Sequence, residues 1–69
     1  MKKNWIKIFS SNDNFKIEVL KNLLLSNNIP AVVINNKDSS YLMFGTIDLY
    51  IENKNKENAI QILSNEKIQ

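Results

Sequence analysis

The residues of this chain best suited to chemistry lie together between Asn35 and Gly45, in the stretch "NNKDSSYLMFG". Lys37, the hydroxyls of Ser39 and Ser40, and turn amides together make a plausible set of donors for a small anion. Asp38 opposes that use, and Gly45, the chain's only glycine, stands at the far end of the loop. The close backbone approach of a phosphate cradle is therefore missing. The structural alternative is an Asx turn, with Asp38 accepting from amides two residues on and fixing the loop. Lys37 beside Ser39 or Ser40 imitates a serine–lysine pair, but adjacency in sequence is not the hydrogen-bonded geometry that activates a nucleophile. No carboxylate recurs at alternate positions after Asp38, as a calcium loop requires. Tyr41 and Phe44 either cover a ligand or close one end of the core. Gly45 answers a backbone need, a positive φ or a bulge at the start of a strand.

Beyond this stretch the chemistry is sparse. The 69 residues contain no His and no Cys. That removes the commonest general base, the thiolate nucleophile and the best transition-metal ligands. The expectation is a protein that is not an enzyme, with no catalytic residue, no metal and no cofactor. Net charge is +2, from nine basic residues and seven acidic ones. All nine are lysines, and they are scattered instead of forming a stripe, which argues against nucleic-acid steering. "MKKN" resembles the charged start of a leader, but "WIKIFSSNDNF" breaks up the apolar run that export needs, and no segment is long enough to cross a bilayer. A cytoplasmic location is expected.

The elements that position the loop follow from periodicity. From Asn4 to Phe9 the residues alternate, with Trp5, Lys7 and Phe9 pointing one way and Ile6 and Ile8 the other, as a half-buried strand requires. "SSNDN" supplies helix caps, Asn12 or Asp13. Between Phe15 and Asn27 the residues Ile17, Val19, Leu20, Leu23 and Leu24 fall within an arc of roughly 160°, an amphipathic helix that leaves Leu25 half exposed. "SNNIP" ends it, because Asn accepts the left-handed cap and Pro30 turns Ile29 away from helical angles. A second strand runs from Ala31 to Asn35 and a third from Thr46 to Ile51. In the third, Ile47, Leu49 and Ile51 share one face and Thr46, Asp48 and Tyr50 the other. Asn53 and Asn55 are candidate caps for a second helix, about Lys56 to Ser64, with Ala59, Ile60, Ile62 and Leu63 on one side.

The order strand, helix, strand, strand, helix, with a possible short final strand in "NEKIQ", is α+β: a ferredoxin-like split β-α-β unit in a single domain spanning residues 1–69. A right-handed crossover is expected to set the first strand parallel to the third and both helices on one face. The opposite face then carries Trp5, Lys7, Phe9, Thr46, Asp48 and Tyr50. Three aromatics on an open sheet mark association or ligand contact, unless part of the same chain folds over them. If the fourth strand is missing, the first strand also shows unpaired backbone groups, an edge for another copy, with Lys2, Lys3 and Lys7 as charges that discourage such pairing. RNA-recognition motifs share this order and stack bases on central-strand aromatics. Here "MFGTIDLYI" lacks their basic, aromatic signature, Arg is absent, and Asp48 would sit on the stacking surface.

"WIKIF", "LLLSNNIPAVV", "NNKDSSYLMFGTIDLYI" and "ENAIQIL" together resemble the putative prokaryotic signal-transducing protein family over nearly everything from Trp5 to Leu63. The middle block, with "KDSSY" and "FG" before an acidic alternating strand, looks like its Bacteroidetes branch. The resemblance implies a fold likened to the nitrogen-regulatory P-II proteins and a regulatory or binding role. It brings no catalytic residues. Asn28 stands where relatives often have the Gly that ends the first helix, and the long loop with which P-II proteins engage ATP is absent. The reading is a non-enzymatic regulatory and protein-interaction module, a homo-oligomer (dimer) associating through Trp5, Lys7, Phe9, Asp48 and Tyr50. It offers Lys37, Asp38, Ser39, Ser40, Tyr41, Phe44 and Gly45 to an unknown protein partner or small anion. The alternative is a small-ligand sensor, for an anion or nucleotide, with its pocket at that loop.

Overall fold

A computed structural model describes residues 4–36 and 45–65. The expectations for Lys37, Asp38, Ser39, Ser40, Tyr41 and Phe44, and for a final strand in the last residues, lie outside that range. Along the chain the described elements are strand β1 (Trp5–Ser11), helix α1 (Asn14–Ser26), strands β2 (Ala31–Asn35) and β3 (Ile47–Glu52), a 3-10 turn (Asn53–Asn55) and helix α2 (Lys56–Ser64).

The three strands form one sheet in the order β1-β3-β2, and both pairings are antiparallel. This corrects the expected direction of the first strand. β1 runs antiparallel to β3, because β3 enters between the two strands that α1 connects and must run against both. The core gathers on one side of β3, where Ile47, Leu49 and Ile51 are almost fully buried with Ile17, Leu20 and Leu24 of α1, Ile29 and Ala59 of α2. Burying each Leu or Ile side chain contributes about 1.5–3 kcal/mol, so these seven large residues carry most of what a chain this short can gain.

Helix α1 begins where "SSNDN" allows. Asp13 is the N-cap, its Oδ1 accepting from the amides of Phe15 (3.0 Å) and Lys16 (3.3 Å). At the other end Asn28 has φ 64°, the left-handed conformation. The Ile29 amide then reaches back to the Leu24 carbonyl (3.0 Å) and the Asn28 amide to that of Leu25 (3.0 Å), the two bonds of a Schellman cap. Ile29 and Leu24 are both in the core, so the cap also sets the apolar contact that starts β2. Helix α2 starts differently. Neither Asn53 nor Asn55 caps it through a side chain; the 3-10 turn leads the backbone in from Glu52, with Asn55 at the N-cap. Ile60, expected on the buried stripe, is 48 % exposed, while Ala59 is buried and Ile62 and Leu63 pack against the core. With its apolar face centred on Ala59 and Leu63, so short a helix leaves Ile60 at the rim.

The left-handed residue gives a direct test. Asn28→Ala should lower stability by about 1 kcal/mol, the order of cost of a Cβ in that conformation, while Asn28→Gly should be as stable as the natural chain or more so. Urea midpoints of the two variants check both signs.

Candidate functional site: the helix-free sheet face

Residues directly opposite in an antiparallel pair share a face, so the register decides what the second side of the sheet carries. Tyr50 lies opposite Lys7 on β1 and Val32 on β2, Glu52 lies opposite Trp5, and Asp48 lies opposite Ser10 and Ile34. Since Ile47, Leu49 and Ile51 point to the helices, these even-numbered positions of β3 and their partners point away from them. Trp5, Tyr50 and Ile34 are half-buried there, and Val32 is 42 % exposed. Trp5, diagonal to Tyr50 across β1 and β3, completes an apolar cluster flanked by Lys7 and Glu52.

Phe9 is not part of it. The register shifts between Lys7 and Phe9, so that Phe9 lies opposite Leu49 and Ile8 is the inserted residue of a β-bulge. Two residues of β1 then oppose one of β3, and alternation reverses beyond the bulge. Ile8 and Phe9 both pack against the core. The expected aromatic trio is thus a pair, Trp5 and Tyr50, joined by Val32 and Ile34 of β2, which parity along β1 and β3 did not bring into view.

Asp48 belongs to the face but is not offered by it. The side chain is only 5 % exposed. Its Oδ2 accepts from Asn36 Nδ2 (2.6 Å) and its Oδ1 from Thr46 Oγ1 (2.8 Å). The Asn36 amide also donates to the Thr46 carbonyl (2.8 Å), and Gly45, with φ 106°, turns the chain into that pair. These contacts hold the residue after β2 to those before and within β3. Gly45 therefore meets the backbone need expected of it, and only glycine takes such an angle without cost. Sequence reasoning placed Asp48 on the right face and missed Asn36 and Thr46 as its partners. The signal was the same parity, which puts Thr46 and Asp48 side by side.

A recess of about 250 Å³ lies at the other end of β3, lined by Asn4, Glu52, Asn53 and Lys54. It is smaller than the roughly 300–1,000 Å³ of ligand clefts, and a lining with one carboxylate and one ammonium favours neither anion nor cation. Among the described residues no group of three or more His, Cys, Asp or Glu could hold a metal ion. No helix among them is long and apolar enough to cross a membrane.

Asp48→Ala should cost about 1–3 kcal/mol, because the Asn36 and Thr46 donors lose their acceptor. Either Asn36→Ala or Thr46→Ala should cost less than Asp48→Ala, and the three denaturation midpoints would rank accordingly.

Among models of known families, residues 5–67 match the one described as putative prokaryotic signal transducing protein. No curated protein and no solved structure matches the chain.

Proposed function

The chain belongs to the putative prokaryotic signal transducing protein family, and from that premise we propose that it is a non-enzymatic regulatory module that pairs with a second copy through the helix-free face of a ferredoxin-like sheet. The observation that carries this reading is the cluster of Trp5, Tyr50, Val32 and Ile34 on a face that no described helix covers. Aromatic side chains concentrated on such a face favour association.

A two-fold axis through the face suits its charges. Lys7 and Glu52 flank the cluster, and in an isologous contact the residue that meets a partner is met in turn by its own counterpart, so Lys7 of each copy can face Glu52 of the other. Size sets the strength. Three strands spaced about 4.8 Å apart and about 20 Å long present a flat footprint of about 300 Å². That is well below the roughly 800 Å² per partner of a stable complex. The resulting dimer is weak and governed by concentration, which suits a switch better than a permanent assembly.

Sedimentation equilibrium tests the reading. The natural chain should show a reversible monomer–dimer equilibrium, and Tyr50→Lys should raise the dissociation constant by about tenfold or more, the effect of losing a central aromatic contact. A strict monomer at millimolar concentration, or a dimer indifferent to Tyr50→Lys, would remove the face from consideration.

A further inference from the structure

The two outer strands of the sheet are defended very differently. β1 carries the bulge at Ile8 and an exposed Lys7, two devices that discourage a further strand from joining an edge. β2 has neither. Its five residues, "AVVIN", contain no charge, Pro30 stops short of them, and their register with β3 is regular throughout. Among the described residues no strand lies on its outer side.

The hydrogen bonds show which groups face outward. The Asn36 amide donates to the Thr46 carbonyl, one step beyond the paired Asn35 and Ile47, so the backbone amide of Asn36 faces the β3 side. Backbone groups along a strand alternate in direction, so Ile34 and Val32 also turn theirs toward β3, whereas Val33 and Ala31 turn theirs away. Val33 sends its side chain into the core and its amide and carbonyl out from the edge.

We propose that β2 pairs antiparallel with β2 of a second copy across a two-fold axis at Val33, giving one continuous six-stranded sheet. The register follows from the geometry. Directly opposed residues share a face, and the pairing centred on the outward-turned residue in the middle of β2 sets Val33 against its own counterpart and Val32 against Ile34 of the other copy. Val33 of each copy then exchanges amide and carbonyl with the other. A two-fold partner is the occupant that this strand suits best. An edge that meets itself also meets its own charges, and β2 brings none, whereas β1 would bring its lysine against a second lysine. The Val32 and Ile34 side chains of both copies meet on the helix-free side, so the apolar surface runs unbroken from one copy to the next. This edge contact is separate from the face contact proposed above, and neither requires the other.

Hydrogen exchange followed residue by residue on the unaltered chain decides it. Exchange at the Val33 amide should slow by about tenfold or more as concentration rises from about 10 µM to about 1 mM, the range in which a weak dimer fills. The Val32 and Ile34 amides, already bonded to β3, should change far less. Val33→Pro, which removes an outward amide and spares the ladder to β3, should abolish the edge dimer and leave any contact sensitive to Tyr50→Lys in place. A Val33 amide whose exchange does not depend on concentration up to that limit would overturn the proposal, whether or not the protein dimerises through its face.

Discussion

The structure depends on one constraint, the alternation of side chains along β3. Ile47, Leu49 and Ile51 are buried on one side against α1, Ile29 and Ala59, and no other strand contributes as much to the core. Because β3 is also the central strand, its parity dictates the faces of both neighbours through the register. A shift of one residue would bring Asp48 and Tyr50 beneath the helices and expose three isoleucine or leucine side chains, a loss that a chain of this size could not offset. The helix-free face is therefore a consequence of the core: once the odd positions are buried, Asp48, Tyr50 and Glu52 must emerge together.

The two irregularities of the sheet both act on that alternation. At Ile8 the bulge reverses parity within β1, so Trp5 and Lys7 stay on the helix-free side while Phe9 joins the core. One strand thus contributes an aromatic to each surface. Near the other end of β3, Asp48 spends its two oxygens on Asn36 and Thr46 and secures the junction of β2 and β3 at Gly45. A carboxyl group so engaged and so deeply buried is part of the scaffold, and the helix-free face around it is formed by its neighbours.

Much of this was legible in the residues. The strong 3.6-residue pattern from Ile17 to Leu24, the caps at Asp13 and Asn28, and the alternation from Ile47 to Ile51 each express a local preference that the fold respects. Phe9 was misplaced because a bulge has no sequence signature here. Alternation simply breaks where two apolar residues, Ile8 and Phe9, can both be buried at once. Helix α2 begins at Lys56 with Asn55 at the N-cap, as the residues suggest, but a 3-10 turn set by the chain's exit from β3 leads into it and the cap forms no side-chain bond. The direction of β1 was misjudged at the level of topology, where periodicity is silent. Asn36 and Thr46 escaped notice because a bond between strands depends on register, which only the paired sheet defines.

One side of the sheet is buried and holds the fold, and the open side is the one proposed to meet another copy. Trp5, the chain's only tryptophan, sits on the open side and reports on it directly. The decisive measurement is collisional quenching of its fluorescence by a small neutral quencher, in dilute and in concentrated solution. Shielding of Trp5 that grows with concentration, and is lost in Tyr50→Lys, is the predicted result. Equal quenching at both concentrations, in a sample that sedimentation shows to be dimeric, would contradict it.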